Sequence, residues 1–301
     1  MNKPRIGLVG VGLMGHGIAL NIARKGYALA VLEHPGNQPL DELRALGVTS
    51  AATVQALARQ VQVLILCVTG SPQVEAVLLG EQGALAALQP GTVVIDCSTA
   101  IPASTESVAR AVAAAGGRFL DAPMTRTPKE AAEGRLNLLV GGDAALLAEC
   151  LPLLQCFAEN VTHTGAVGSG HRMKLLHNYV SLGSVALIAE AAACAQAGGV
   201  APQVFVDVLA KGGGGGVALE RLRPYLLQHD ASSLRFFMSN ALKDLGYYTT
   251  MAQDSAAARG SRDPERDALA KSVDHGGRGI IETKMVDILV KLCQIPIYYR
   301  R

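Results

Sequence analysis

The stretch Ile6-Gly7-Leu8-Val9-Gly10-Val11-Gly12-Leu13-Met14-Gly15 decides the fold. A short apolar strand runs directly into a Gly-x-Gly-x-x-Gly turn, and the turn opens a helix. In such a turn the first glycine permits the tight bend, the second lets a pyrophosphate approach the backbone, and the third lets the helix pack on the strand. The helix N-terminus then faces the anion. The stretch therefore predicts a dinucleotide site, and its predicted cofactor-binding residues are Gly10, Gly12, Leu13, Met14 and Gly15.

Runs rich in Val, Ile and Leu alternate with helical stretches as far as about residue 165. The predicted strands are Ile6–Gly10, Ala28–Glu33, Val61–Val68, Thr92–Cys97, Arg118–Met124 and Leu136–Val140. Apolar strands that alternate with helices indicate a parallel sheet with right-handed crossovers. Beyond this region we expect a long interdomain helix from about 168 to 196, and then helices around 202–210, 217–228, 233–258 and 263–272. The predicted fold class is α/β, with a doubly wound Rossmann domain over 1–165 and an all-helical domain over 166–301.

Composition excludes several classes of protein. The 301 residues carry 27 Lys and Arg against 25 Asp and Glu, and aromatic residues make up 4% with no Trp. A nucleic-acid-binding protein needs a basic face and stacking surfaces, so we expect no nucleic-acid partner. Six cysteines without a close pair argue against a metal site or a disulfide framework. The chain starts on a strand-like run, and its longest apolar tract, 179–201, contains Glu190. We therefore expect a cytoplasmic protein with no signal peptide and no membrane span.

Three loops after predicted strands bear on the cofactor. Glu33 closes the second strand, where an acidic side chain accepts hydrogen bonds from the adenosine ribose in dinucleotide-binding folds. A carboxylate there repels a 2′-phosphate, and the neighbouring residues supply no Arg for it, although a protonated His34 would help. The sequence therefore favours NAD over NADP. Val68-Thr69 and Ser98-Thr99 follow two other strands and are placed to reach the cofactor, although plain turn chemistry would also explain them.

The start of the long helix carries a polar stripe. Lys174, His177, Asn178 and Ser181 fall at i, i+3, i+4 and i+7, so they share one helix face, while the rest of the helix is strongly apolar. Buried polar groups without partners are costly, so a stripe that faces a ligand in an interdomain cleft explains the pattern. The alternative is an ordinary first helical turn with a lysine that reaches to solvent.

Four ordered motifs resemble those of the β-hydroxyacid dehydrogenases, the 3-hydroxyisobutyrate dehydrogenase family, over roughly residues 4–290. They are Gly10-x-Gly-Leu-Met-Gly15; Asp96-Cys-Ser-Thr99-Ala-Ile-Pro102; Asp121-Ala-Pro123 leading to Val140-Gly-Gly142; and Gly168-x-Gly-x-x-x-Lys174-x-x-x-Asn178. The resemblance implies a fold like that of 6-phosphogluconate dehydrogenase and a nicotinamide cofactor. It implies that Lys174 is the catalytic general acid and base, that Asn178 orients the substrate, and that Thr99 lies by the nicotinamide. Lys243, followed by Asp244, matches the family's Lys-Asp pair and is implied to reach over the cofactor.

One departure from the family pattern bears on the substrate. Most members have Ser-Gly-Gly where this chain has Thr125-Arg126-Thr127. A planar guanidinium clasps an anion with two hydrogen bonds, so Arg126 indicates an anionic substrate; pairing with Glu130 or Glu133 is the alternative. An Arg-Thr sequence here resembles the sulfolactaldehyde reductase branch, which would make the anion a sulfonate, but His177 stands where that branch would have Asn. The predicted substrate-binding residues are Ser98, Thr125, Arg126, Thr127, His177 and Ser181.

These features lead to one leading hypothesis and two alternatives. The leading one is an NAD(P)-dependent oxidoreductase that interconverts a small anionic 3-hydroxy acid, or a hydroxy-sulfonate, with its semialdehyde or ketone. The alternatives are an imine reductase of similar fold and a non-catalytic cofactor-sensing protein. Apolar residues on the long helix, among them Ala186, Ile188 and Ala191, favour a homodimer or homotetramer.

Overall fold

The structure is a computed structural model and describes residues 3–233, 236–255 and 274. Contacts between Cα atoms divide the chain into two compact units, Met1–Lys174 and Leu175–Arg301. The described strands are β1 Ile6–Val9, β2 Leu29–Leu32, β3 Thr49–Ala51, β4 Val63–Leu66, β5 Val93–Asp96, β6 Arg118–Asp121, β7 Met124–Thr125, β8 Leu136–Gly141 and β9 Ala158–Gly165. The described helices are α1 Leu13–Arg24, α2 Asp41–Ala45, α3 Val54–Ala58, α4 Ser71–Leu79, α5 Pro102–Ala114, α6 Pro128–Ala132, α7 Ala144–Leu154, α8 Ser169–Ala197, α9 Pro202–Lys211, α10 Val217–Gln228 and α11 Met238–Asp254.

The first unit contains one sheet with the strand order β3-β2-β1-β4-β5-β6-β8-β7, and β9 pairs with β8. Every pair from β3 to β6 is parallel, so the predicted Rossmann arrangement is confirmed. The chain leaves β1 toward β2 and returns on the other side of β1 to form β4. Ligands bind beyond the carboxyl ends of the strands at such a reversal, so the turns after β1 and β4 lie where a dinucleotide would bind.

The prediction of a purely parallel sheet is wrong at its far end. The predicted strand Arg118–Met124 divides into β6 and β7, and β8 pairs antiparallel with both of them. A parallel return needs a crossover of a dozen or more residues, whereas only a short helix, α6, separates β7 from β8. The chain therefore turns back on itself. Neither β3 nor β9 was predicted, because β3 has three residues and β9 is mostly polar, with one buried residue out of eight.

The sheet is covered on both faces, as its nearly uninterrupted apolar strands predict. Successive residues of β4 belong to opposite apolar clusters: Val63 and Ile65 pack in one, and Leu64 and Leu66 pack in the other. Phe157 is fully buried in the first of these clusters. This two-sided burial holds the carboxyl ends of the strands, and hence the turns that follow them, in fixed positions.

The second unit is helical in the part of the chain that the structure describes, as predicted. Its core is formed by α8 residues, among them Ala186 and Ala189, which pack with Tyr225, Met238 and Leu245. The glycine run 212–216 connects α9 to α10. The helix predicted over 233–258 begins at Met238. The helix predicted over 263–272 lies outside the described residues.

One described helix, α8, is long and apolar enough to cross a membrane when judged by length and composition alone. In its most apolar window, 39% of the residues are buried within the protein. Core helices of soluble proteins also pass this test, so the helix is weak evidence for a membrane span.

Candidate functional site

The turn after β1 has the geometry that a bound pyrophosphate requires. Gly10 has φ +93°, and a Cβ atom there would lie 2.2 Å from the carbonyl oxygen of Cys67. A Cβ at Gly15 would lie 1.9 Å from the carbonyl oxygen of Gly10, so α1 packs closely on the turn. A Cβ at Gly12 would meet nothing within 4 Å, and Gly12 caps α1 without a side-chain hydrogen bond. The backbone is therefore open at Gly12 alone of these three glycines, at the N-terminus of a helix, and the turn fits a dinucleotide phosphate.

An asparagine that the sequence analysis missed supports this turn. The side chain of Asn37 accepts a hydrogen bond from the Val11 backbone N–H (3.2 Å) and donates one to the Leu32 carbonyl (2.9 Å). It thereby connects the end of β2 to the glycine turn. Of the other predicted cofactor residues here, Met14 packs against the core, whereas Leu13 is 49% exposed. A leucine this exposed is available for contact with a ligand.

Glu33 lies just past β2, as predicted, and is exposed. Its Oε1 atom accepts a hydrogen bond from the Ser50 hydroxyl at 2.6 Å. Ser50 belongs to β3, a strand that the sequence analysis did not predict. The neighbouring His34 ring nitrogen Nδ1 accepts from the Gly36 backbone N–H (3.0 Å). The Glu33 carboxylate is thus fixed at the edge of the site by a hydroxyl donor.

The two further loops predicted to reach the cofactor are joined to each other. The Val68 backbone N–H donates to the Ser98 hydroxyl at 3.0 Å, and the Ser98 N–H donates to Asp96 Oδ1 at 2.9 Å. Ser98 is buried, whereas Thr69 is exposed and Thr99 is partly exposed. Thr69 and Thr99 are therefore the residues of these two loops that a ligand can reach more easily. Ser98 instead connects the two loops, a structural role that was not predicted for it.

The segment Thr125-Arg126-Thr127 is tied into the first unit. Thr127 and Glu130 form the capping box of α6, and the Thr125 hydroxyl accepts a hydrogen bond from the Asn137 amide at 3.2 Å. Arg126 has φ +81°, a left-handed conformation that is uncommon for residues other than glycine. Its guanidinium donates to the Glu159 carboxylate and to the Arg135 carbonyl.

The alternative partners that the sequence analysis considered for Arg126 are both engaged elsewhere. Glu130 accepts from Thr127, and Glu133 pairs with Arg135. The ion pair with Glu159 joins the loop before α6 to β9. Because β9 was not predicted, no sequence pattern indicated this contact.

Lys174 and Asn178 lie one helical turn apart on α8, on the same helix face. Lys174 is partly exposed, Asn178 is buried, Ser181 is partly exposed and His177 is exposed. His177 Nδ1 lies 3.0 Å from Asn178 Oδ1. Because an amide oxygen only accepts hydrogen bonds, this contact requires a hydrogen on His177 Nδ1.

In the second unit Asp244 fixes two of the predicted site residues at once. Its Oδ2 atom accepts from Asn178 Nδ2 at 2.7 Å, and its Oδ1 atom accepts from Lys243 Nζ at 2.6 Å. Asp244 is 3% exposed, so both bonds form away from bulk water. Lys243 Nζ also lies 4.7 Å from the centroid of the Tyr247 ring. Asp244 entered the sequence analysis only as the neighbour of Lys243, and its bond to Asn178 was not predicted.

The fold and the glycine turn define a class of protein: a Rossmann domain that binds NAD(P), followed by a helical unit, in an oxidoreductase. The family profiles agree. The NAD binding domain of 6-phosphogluconate dehydrogenase matches residues 5–165, and the NAD-binding domain of NADP-dependent 3-hydroxyisobutyrate dehydrogenase matches residues 168–285. The chain belongs to the β-hydroxyacid dehydrogenase family, whose members act on the CH–OH group.

Individual relatives support this assignment. The chain is 32% identical to an NAD-dependent L-serine dehydrogenase of Pseudomonas aeruginosa over 86% of this chain and 88% of that protein. It is 30% identical to an L-threonate dehydrogenase of Cupriavidus necator, over 90% and 92% of the two chains. The solved structure of Mycobacterium tuberculosis 3-hydroxyisobutyrate dehydrogenase has the same fold, with a TM-score of 0.84 and 24% identity over 96% of this chain and 99% of that one.

Proposed function

We propose that this protein catalyses the NAD(P)-dependent interconversion of a small anionic 3-hydroxy acid and its semialdehyde or ketone. The observation that carries the proposal is the pairing, one turn apart on α8, of Lys174 with a buried Asn178 whose amide is fixed by Asp244. The glycine turn supports it, since it offers the backbone opening that a dinucleotide needs. A nicotinamide cofactor, when bound, accepts or supplies the hydride.

In the proposed reaction, Lys174 transfers the proton. Oxidation of an alcohol requires a base to take the hydroxyl proton, and reduction of the carbonyl requires an acid to return it to the developing alkoxide. Lys174 Nζ serves both directions. Asn178 has two amide hydrogens and two acceptor positions, of which Asp244 uses one hydrogen and His177 uses one acceptor position. The remaining capacity of the amide suits it to orient the substrate oxygen.

Arg126 is the proposed partner of the substrate anion. Guanidinium carries five N–H donors in a planar fork, and the observed bonds to Glu159 and Arg135 are made by Nη1 alone. The relatives named above take L-serine and L-threonate, both of which carry a carboxylate. We therefore propose a carboxylate rather than a sulfonate as the anion, with Thr125, Thr127 and Ser98 as structural support for the loops around it.

We propose NAD as the preferred cofactor; the exposed Glu33 carboxylate just past β2 supports this, because a carboxylate at that place would repel a 2′-phosphate. The proposed cofactor-binding residues also include Val68, Thr69, Thr99 and Lys243. We further propose a cytoplasmic homodimer or homotetramer. Ala186 and Ala192 of α8 are buried within the second unit's own core, so they are not available to a partner. Other apolar side chains of α8 are exposed, among them Val180 and Leu187, at 67% and 54%.

Absorbance of reduced nicotinamide tests the function. NAD and NADP are each assayed with a panel of candidate substrates: 3-hydroxyisobutyrate, glycerate, 3-hydroxypropionate, 4-hydroxybutyrate, L-threonate, L-serine and 2,3-dihydroxypropanesulfonate. Methyl 3-hydroxyisobutyrate serves as the uncharged control. We expect turnover of at least one acid with NAD, and little turnover of the ester. No turnover of any of these compounds, with cofactor binding demonstrated by titration, would contradict the proposal and favour an imine reductase or a cofactor sensor.

A further inference from the structure

A buried histidine lies between two buried aspartates at the carboxyl ends of β5 and β6. His171 is in the first turn of α8, Asp96 ends β5 and Asp121 ends β6, and the side chains of all three have no exposed surface. His171 Nε2 is 3.9 Å from Asp96 Oδ2, and His171 Nδ1 is 3.8 Å from Asp121 Oδ2. No role was predicted for His171 from the sequence, although it lies three residues before Lys174.

Hydrogen bonds hold the ring on both of its nitrogen atoms. Nε2 lies 3.1 Å from the Ser98 carbonyl oxygen, which only accepts, so Nε2 carries a hydrogen. Nδ1 lies 2.8 Å from the Thr105 hydroxyl. That hydroxyl also lies 3.2 Å from the Ile101 carbonyl oxygen, at the start of α5. The ring therefore connects the Ser98 loop to the start of α5.

The ring also lies next to a buried acidic side chain. A buried carboxylate without a compensating partner is costly, and Asp96 Oδ2 has no hydrogen-bond partner in the part of the chain that the structure describes. Burial raises the pKa of the Asp96 carboxyl, and the neighbouring His171 opposes that rise. His171 is thus packed among groups that are costly to bury, and the geometry of the cluster depends on it.

The same cluster connects two parts of the proposed active site. Asp121 accepts the backbone N–H groups of Gly168 (2.8 Å) and His171 (2.9 Å), which fixes the start of α8. Asp96 and His171 bind the N–H and the carbonyl of Ser98, respectively, which fixes the loop that continues to Thr99. A Cβ at Gly170 would lie 2.3 Å from the Leu139 carbonyl oxygen, so the helix start approaches the sheet as closely as only glycine allows.

We propose that His171 is a positioning residue: its buried ring holds the Ser98-Thr99 loop and the first turn of the helix carrying Lys174 in one fixed geometry. This inference rests on the proposed function, because it takes Lys174 to be the proton-transferring group. A displacement of about 1 Å in a reacting group costs up to ~100-fold in rate, so loss of this connection should lower kcat while leaving the bound ground state nearly unchanged.

The test compares His171→Gln with His163→Gln. Glutamine at 171 keeps an N–H donor but removes the ring that reaches both Ser98 and Thr105. His163, in β9 of the same unit, is the control, because its Nε2 also lies 2.9 Å from a backbone carbonyl oxygen, that of Gly142. We expect His171→Gln to lower kcat about tenfold or more, with KM and cofactor Kd within about threefold of wild type. His163→Gln should leave all three unchanged. A wild-type kcat in folded His171→Gln would overturn the proposal.

Two measurements on the protein test the proposal without activity. Histidine ¹⁵N NMR of the wild type should show a hydrogen on His171 Nε2, the atom that lies 3.1 Å from the Ser98 carbonyl oxygen; an Nε2 without a hydrogen would overturn the proposal. Amide hydrogen exchange should show faster exchange at residues 168 and 171 in His171→Gln than in wild type, and unchanged exchange would overturn the positioning role. If His171→Gln does not fold, the NMR result on the wild type still decides whether the ring holds Ser98. An inactive wild type with a hydrogen on Nε2 would reject the proposed function and keep the contact between His171 and Ser98.

Discussion

Replacing each glycine of the first turn by alanine should give outcomes that differ by position. Gly12→Ala adds a methyl group that meets no atom of the protein within 4 Å, at φ −79° and ψ −157°, an extended conformation that alanine adopts readily. We therefore expect a stability loss of about 1 kcal/mol or less, from the poorer helix cap, and a fall in Tm of at most ~2 to 4 °C. The same methyl group lies in the space that a pyrophosphate would enter.

The expected loss of cofactor affinity in Gly12→Ala is estimated from the loss of one hydrogen bond. A hydrogen bond from the helix N-terminus to a charged phosphate contributes about 1.5–3 kcal/mol, so its loss raises Kd for NAD by roughly 10- to 150-fold. Gly10→Ala and Gly15→Ala should instead destabilise the fold, because their methyl groups would lie 2.2 and 1.9 Å from carbonyl oxygens. Gly246→Ala, in α11, is the matched control: its methyl group also meets nothing within 4 Å, and cofactor affinity should not change.

The assay is a titration of NADH fluorescence together with a thermal melt of each variant. A Gly12→Ala protein with wild-type Kd for both NADH and NADPH would refute the placement of the cofactor over this turn. A Gly12→Ala protein as unstable as Gly10→Ala would refute the claim that the space over Gly12 is open.

Three further predictions concern the proposed chemistry. Lys174→Ala should lower kcat by ~100-fold or more while cofactor Kd changes little, and steady-state kinetics together with a binding titration would check this; retention of most turnover would remove Lys174 from proton transfer. Glu33→Gln removes the charge that opposes a 2′-phosphate, so the ratio of kcat/KM with NADP to that with NAD should rise by about tenfold, and an unchanged ratio would assign selectivity to other residues. Arg126→Ala keeps a Cβ at φ +81° and removes the guanidinium alone, so KM for the acid should rise about tenfold while KM for its methyl ester stays constant; equal effects on both would argue against an anion at Arg126.

The periodic parts of the fold were predictable, and its departures from regularity were not. Short runs of Val, Ile and Leu indicate buried parallel strands, and β1, β2, β4 and β5 were predicted from such runs. The strand β9 has the sequence Ala-Glu-Asn-Val-Thr-His-Thr-Gly, which contains no such run, and only one of its eight residues is buried. β8 runs antiparallel to β6 and β7 because the connection through α6 is short. The predicted single strand Arg118–Met124 did not show where β6 ends and β7 begins, so this reversal was not predicted.

In the candidate site, too, local features could be predicted from the sequence and contacts between distant residues could not. Local patterns predicted the glycine turn and the shared helix face of Lys174 and Asn178, because both depend on spacing within one element. Pairs that join distant parts of the chain, such as Asn178 with Asp244 and Arg126 with Glu159, depend on how elements pack, which spacing does not encode. His171 lay three residues before Lys174, and this position was the one sequence signal that could have placed it near the site.

The ion pair between Arg126 and Glu159 is compatible with the proposed role of Arg126 in binding the substrate anion. A non-glycine residue at φ +81° carries a conformational cost of about 1 kcal/mol or more, which glycine would avoid. The ion pair with Glu159 contributes about 0–1 kcal/mol, because the two side chains are 26% and 46% exposed and pairs so open to water are weak. In the proposed role, a substrate carboxylate bound in a less hydrated position would form the stronger pair with Arg126. The contact with Glu159 is therefore compatible with the proposal, because a weak pair costs little to exchange for a stronger one.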